Sequence, residues 1–342
     1  MSKPRIGVVG PLLGIHPGWA ISPAEIVISR LREDGFTVRA TSTKIGRISR
    51  LTDTVQEMLS WRNQVDLIIV VGYSGLAFGM GDLSTWLAKR LKKPIIIWLQ
   101  GGNLPTFAKR YPRWIQRVFS RADAVAAPSG YLAQHFQEIG FDVHIIPNLL
   151  DIEAYTYRQR DVIRPNLLWM RTFHPIYHPE MAVHALHKLV QDGVDATLTM
   201  AGQDRGLLET TQKLVQDYEL DDRVRFPGFL DLAAKQREFG SHDIYLHTNR
   251  IDNMPVSVLE AGGFGLPVIA TRVGGIPYLL EDEQTGLIVP DEDAAEMANA
   301  IQRLVSAPAL AARISQNGRQ LAESCTWPIV KQQWQALFTQ LL

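Results

Sequence analysis

The chain has 342 residues, 46% of them apolar and 20% charged, with 35 basic and 35 acidic side chains. That length suits about two domains, each large enough to bury a core without disulfide or metal staples. The one cysteine, Cys325, excludes an internal disulfide and a cysteine-based zinc site, and it fits a reducing compartment.

The N-terminus, MSKPRIGVVG, runs straight into a strand-like segment. It lacks the charged start, apolar stretch and cleavage site of a signal peptide. Apolar runs follow at Arg5–Val9, Thr37–Thr41, Leu67–Val71, Ile95–Leu99, Ala124–Ala127 and Val143–Ile146. They are β-branched and apolar on both faces, like strands of a parallel sheet covered by helices. After the first run, Ser22-Pro23-Ala24-Glu25 offers a capping serine, a proline at the first helical position and a glutamate that can reach back. A helix is therefore predicted from there to a stop at Gly35. The loop before it runs from Gly10 through Gly14 to Gly18. It is either an anion cradle, with Gly14 letting backbone N–H groups approach, or a tight connection.

The most apolar window, Val65 to Met80, is broken by Asp66 and by glycines, so a cytoplasmic chain without membrane spans is expected. Further on, Phe107 to Arg121 holds five basic residues, four aromatic ones and no acidic one, while Lys44, Arg47 and Arg50 add charge elsewhere. This segment reads in two ways. It is a peripheral contact with anionic lipid, or with a lipid-linked phosphate acceptor, at the inner face of a membrane; or it is an amphipathic helix with a solvated basic face. No nucleic-acid-binding motif accompanies the charge. Residues 1–150 as a whole carry 18 Lys and Arg against 10 Asp and Glu, a net of +8, and the remainder a net of −8. Either the basic half meets an anion, or the two halves attract each other.

A polar stretch from Pro147-Asn148 through Arg164-Pro165 reads as the linker. Beyond it, apolar runs recur at Leu167–Met170, Thr197–Ala201, Val224–Phe226, Ile244–His247, Val268–Ala270 and Leu287–Val289. Two sheets of about six strands are predicted, making two Rossmann-like domains at 1–150 and 151–325. A last helix over 326–342 puts Trp334, Leu337 and Phe338 on one side. Periodicity leaves open whether it packs on the second domain or crosses back to the first.

Several chemistries are absent. There is no G-x-x-x-x-G-K-[ST], no G-x-G-x-x-G after the first strand, no G-x-S-x-G and no H-E-x-x-H. The richest stretch is Arg250 to Pro277. In it a strand ends in a polar loop at Asp252-Asn253-Met254, and Pro255 and Val256 open a helix that carries Glu260 two turns in. Such a loop and helix start can hold a diphosphate on their N–H groups, with Asp252 on sugar hydroxyls and Glu260 on a ribose. The other reading of the two acids is a capping Asp and a buried Glu.

At these residues the sequence resembles the retaining glycosyltransferases of family 4. Their signature is matched by Asp252-x7-Glu260, Gly265-Leu266-Pro267-Val268 and Gly274-Gly275-Ile276-Pro277. Pro147-Asn148, Met200-Ala201-Gly202, Val224-x-Phe226-x-Gly228-Phe229 and Thr285-Gly286-Leu287 extend the resemblance in order. It implies a GT-B fold, two Rossmann-like β/α/β domains facing each other across a cleft. The second domain would hold a nucleotide-sugar donor and the first a glycan or lipid-linked acceptor. It also implies retention and no metal or cofactor beyond the donor. Arg171 matches the family's diphosphate arginine, Gly202 the strand-end glycine, and Gly228-Phe229 the segment near the base. Three departures stand out: Asp252 replaces a glutamate, no lysine follows Arg171, and Gln100-Gly101 stands where a His-Gly faces the donor sugar. They mark either a subfamily or weakened catalysis. A scaffold protein or a sugar-nucleotide epimerase of the same fold are the alternatives.

Overall fold

A computed structural model describes residues 3–17, 19 and 21–342 of the chain. Gly18, the last glycine of the first loop, lies outside the described residues. The chain divides into two compact units, 1–149 with 327–342, and 150–326.

The first unit alternates strand and helix: β1 (Ile6–Val9), α1 (Pro23–Glu33), β2 (Val38–Thr41), α2 (Arg47–Ser60), β3 (Leu67–Gly72) and α3 (Leu76–Arg90). It continues with β4 (Ile95–Leu99), α4 (Leu104–Arg110), α5 (Pro112–Phe119), β5 (Ala124–Ala127), α6 (Gly130–Glu138) and β6 (Val143–Ile145). The second unit holds β7 (Asn166–Met170), α7 (Pro179–Gln191), β8 (Thr197–Ala201), α8 (Leu208–Asp217), β9 (Val224–Gly228) and α9 (Leu232–Ser241). Then come β10 (Ile244–His247), α10 (Val256–Phe264), β11 (Val268–Thr271), α11 (Ile276–Leu279), β12 (Leu287–Val289), α12 (Ala294–Ser306) and α13 (Pro308–Ser324). The last helix, α14 (Trp327–Leu341), belongs to the first unit.

Both sheets have six strands and every pair is parallel. The first runs β2-β1-β3-β4-β5-β6 and the second β12-β11-β10-β7-β8-β9. Their order reverses beside the first strand of each sheet, at β1/β3 and at β7/β10. Crevices at the carboxyl ends of such reversals are where α/β sheets bind ligands.

Burial on both faces explains the residues chosen. β3 and β4 are buried at every position. Along β3, Ile68 and Val70 enter a core with Trp61 and Phe119, while Leu67, Ile69 and Val71 enter another with Leu31 and Trp98. Helix α1 starts as its sequence dictates: Ser22 Oγ accepts from the Glu25 N–H, and Glu25 Oε2 accepts from the Ser22 N–H at 2.7 Å. Helix α14 covers Trp98 with Trp334, ring centroids 5.1 Å apart. It is pinned at Asp34, whose Oδ2 accepts from Trp327 Nε1 at 2.9 Å and Lys331 Nζ at 2.7 Å.

The basic-aromatic segment divides between core and surface. Phe107 and Phe119 are buried, and Phe107 and Trp114 pack on Phe78 with centroids 5.0 Å away. Trp114, Arg117 and Arg121 all donate to Asp82. Phe107 and Phe119 thus belong to the core with Trp114 packed against it, and two of the arginines are paired internally, while Tyr111 is 39% exposed.

Candidate active site

The reversal between β7 and β10 gathers polar side chains from both sides. Arg171 follows β7, and Asn249 and Asp252 lie in the loop after β10, behind His247 at the strand's end. Asp252 Oδ2 accepts from Arg171 Nη2 at 2.8 Å and from Asn249 Nδ2 at 2.5 Å, with His247 Nε2 at 3.4 Å. Its Oδ1 accepts from the Asn253 N–H at 2.8 Å. Three of these contacts fall on Oδ2 and one on Oδ1, so of the roughly four acceptor positions a carboxylate offers, one on Oδ1 stays open. Burial raises its pKa, but the Arg171 charge and the bonds from His247 and Asn253 outweigh that and hold the carboxyl below the usual range. Burial also lowers the pKa of His247, only partly opposed by Asp252, so the imidazole is neutral near pH 7.

Arg171 lies over the Tyr177 ring, 4.3 Å from its centroid, and Nη1 reaches Ser257 Oγ at 3.4 Å. Its guanidinium stays charged: burial lowers its pKa, yet Asp252 and neighbouring tyrosines leave it raised overall. Tyr245 beside it is pushed up to about 12 by burial. Three buried polar atoms here have no partner: Arg171 Nε, His247 Nδ1 and Asn249 Oδ1. Buried polar groups are rarely left so, and a set of three in one crevice suits a polar ligand.

Helix α10 opens at the same place. Pro255 is its N-cap and makes no side-chain cap bond, so the positive end of the helix dipole lies beside the Asp252 loop. Glu260 lies in the second turn and is 7% exposed. Its Oε1 accepts from Lys235 Nζ at 2.7 Å and from Tyr155 Oη at 3.2 Å. The Tyr155 hydroxyl is raised in pKa, first by burial and then by that carboxylate.

The paired glycines have a backbone reason. A Cβ on Gly275 would lie 1.6 Å from the Asn253 carbonyl oxygen, and one on Gly274 2.1 Å from that of Asp252. The Gly275 N–H donates to the Asp252 carbonyl at 3.0 Å. This turn therefore presses on the backbone of the Asp252 loop and sets its height. Gly202 acts similarly: at φ +152° its Cβ would lie 1.8 Å from the Arg171 carbonyl oxygen.

Of the residues singled out by sequence, Arg171, Asp252, Asn253, Pro255, Val256 and Glu260 lie around this crevice. Gly202 bonds its N–H to the Gly228 carbonyl at 2.9 Å, and Phe229 beyond it is half exposed, an aromatic face open to a base. Met254 is different: its side chain is buried in a core with Leu150, Leu259 and Cys325. Gln100 and Gly14 belong to the first unit. Gln100 Nε2 donates to Asn148 Oδ1 at 3.2 Å. The Gly14 N–H, offered by the sequence to an anion, donates instead to Glu25 Oε1 at 2.8 Å. Sequence reasoning missed His247, Asn249, Tyr177, Ser257, Tyr155 and Lys235. The first two carry a signal, since polar residues directly after an apolar parallel strand stand at the ligand edge. Lys235 carries none, because only the packing of α9 brings it to α10. No cluster of three or more metal-ligand side chains occurs among the described residues.

Two Rossmann-like units in one chain, the second with a polar crevice at its reversal point, define the two-domain α/β class called GT-B. Two solved structures share that fold over nearly the whole chain. One is HepE of Anabaena in complex with UDP and glucose (17% identity, TM-score 0.77, covering 99% of this chain and 100% of that one). The other is sucrose-phosphate synthase of Thermosynechococcus elongatus (19%, 0.82, 99% of each). Identities that low speak for the fold alone. A family model described as glycosyl transferases group 1 matches residues 162–321, and one described as glycosyltransferase family 4 matches 17–154. The chain belongs to this family of glycosyltransferases. Among curated relatives, the alpha-D-kanosaminyltransferase of Streptomyces kanamyceticus is 28% identical over 46% of this chain and 41% of its own length. The D-inositol 3-phosphate glycosyltransferase of Pseudarthrobacter chlorophenolicus is 27% identical over 67% of this chain and 58% of its own. The chain thus spans about half the length of these relatives.

Proposed function

We propose that this protein transfers a sugar from a nucleoside-diphosphate donor to a hydroxyl acceptor, with retention at the anomeric carbon and without a metal. The observation that carries the reading is the meeting of Arg171, the uncapped start of α10 and Glu260 in one crevice. A leaving diphosphate needs fixed positive charge there, and a fork-shaped guanidinium beside a helix N-terminus supplies it. Asp252 holds that guanidinium in place through the bond from Arg171 Nη2 to Oδ2. Glu260 accepts the ribose hydroxyls, and Phe229 stacks on the base. In the transfer, the bond from the anomeric carbon to the phosphate oxygen breaks and one to the acceptor oxygen forms on the same face. The acceptor proton passes to the departing phosphate.

Uridine diphosphate is the first donor base to test, because a structural relative holds it. Wild-type protein mixed with UDP-sugars and an acceptor pool is expected to release UDP. Arg171→Ala and Glu260→Ala are each expected to lower that turnover at least about tenfold. Full activity in both variants would overturn the assignment. UDP binding with no turnover for any donor would favour the scaffold alternative.

A further inference from the structure

A cavity of about 770 Å³ stands at the reversal point of the first unit, by the ends of β1 and β3. Its size falls within the range of about 300–1,000 Å³ usual for small-molecule sites. Helices α2 and α3 form the walls, and Leu51, Val70, Val71, Leu76, Met80 and Leu83 give it an apolar lining. Small residues on α3 create the space: a Cβ on Gly79 would meet nothing within 4 Å.

Its polar groups are few. Among the described residues no Asp, Glu, Asn or Gln lines it, so sugar hydroxyls would find no carboxylate or amide there, only the hydroxyls of Thr54, Tyr73 and Ser84. Arg47 and Arg50 line it, and Arg50 donates only to the carbonyls of Lys44 and Ile45, at 2.9 and 2.8 Å. Among the described residues no carboxylate pairs with either arginine. Ser84, fully buried in the lining, has an Oγ without a partner. The net +8 of residues 1–150 favours an anion in the same direction.

We infer that this cavity binds a phosphate-bearing amphiphile, with its hydrocarbon chain between α2 and α3 and its phosphate on Arg47 and Arg50, and that a hydroxyl carried by such a lipid is the acceptor. The acceptor role rests on the transfer reading above; the binding does not.

Calorimetry of the full chain tests it with dodecyl phosphate below its micelle concentration, against dodecyl glucoside and inorganic phosphate. Dodecyl phosphate is expected to bind one to one, at least tenfold tighter than either control. Gly79→Phe is expected to weaken it at least tenfold while UDP binding is unchanged, which shows that the variant is folded. Arg47→Ala/Arg50→Ala is expected to erase the preference for phosphate over glucoside. Undiminished binding to Gly79→Phe, or equal binding of the glucoside by wild type, overturns the inference. UDP binding without dodecyl phosphate binding sinks the inference and spares the donor reading. Dodecyl phosphate binding without UDP binding does the reverse.

Discussion

Lys235 on α9 and Arg171 after β7 divide the positive charge of the crevice between two elements, and each is matched to one carboxylate. The lysine expected after Arg171 is absent, and the other cation here, Lys235, is paired with Glu260. It acts through Glu260 as a positioning residue: both Lys235 and Tyr155 bond Oε1, which orients the carboxylate. A charged hydrogen bond is worth roughly 1.5–3 kcal/mol, or about ten- to a hundredfold in affinity. Lys235→Met is therefore expected to raise the donor KM at least about tenfold, with kcat changed much less. Steady-state kinetics over a donor series check this, and a fall in kcat alone would count against it. His247 gives a second expectation. Its pKa is lowered in the folded chain, so the unfolded chain binds the proton first as pH falls. Stability from its neutral form is complete above the unfolded value near 6.5 and is lost as pH falls from there toward the folded value. His247→Gln should flatten the fall in thermal midpoint between pH 7 and pH 5. A slope as steep as wild type's would place the effect on other buried histidines such as His242, whose pKa burial also lowers.

At the scale of the element, the Gly274-Gly275 turn is what fixes the Asp252 loop. Gly275→Ala forces a Cβ toward the Asn253 carbonyl oxygen, a gap of 1.6 Å that no contact tolerates. The loop must move, taking Asp252 and the grip on Arg171 with it. Overpacking of this kind costs about 1–3 kcal/mol. Calorimetry should find both a lower thermal midpoint and weakened UDP binding, and normal UDP binding would show that the loop is set by something else. This glycine pair was legible as a motif, though its reason was not, because it lies in a contact between loops 22 residues apart. The strands were legible to within a residue or two, since β-branched runs such as Leu67–Gly72 are buried on both faces. The helix at Ser22 was legible because its cap is local. What failed to show were contacts set by helix packing. The spacing of Phe107, Tyr111 and Trp114 suggests one amphipathic helix, whereas the chain makes two, α4 ending at Arg110 and α5 starting at Pro112. Phe78, from another helix, packs on Phe107 and Trp114 and draws both to the core. Glu260 stood out in sequence, and Lys235 could not, for the same reason.

For the molecule as a whole, the return of the chain to its first unit is the feature with the largest energetic reach. The second unit intervenes between Leu149 and Trp327, yet α14 completes the core around Trp98. Val330, Trp334, Leu337 and Phe338 are all buried there. At about 1.5–3 kcal/mol for each buried side chain, their burial contributes several kcal/mol, an upper figure because unfolded chains already hide some surface. That is comparable with the whole stability of a typical domain, about 5–15 kcal/mol. Deleting 327–342 also strips Asp34 of its bonds to Trp327 and Lys331. The truncated chain is therefore expected to lose the heat absorption of the first unit while the second still unfolds cooperatively and still binds UDP. Two units can melt separately, so calorimetry resolves them where a single midpoint cannot. Trp334→Ala, which keeps the helix and its pins, should lower only the first unit's transition, by the roughly 3–5 kcal/mol typical of a large aromatic removed from a core. If the truncated chain kept both transitions at their wild-type temperatures, α14 would be an accessory to the first unit instead of part of its core.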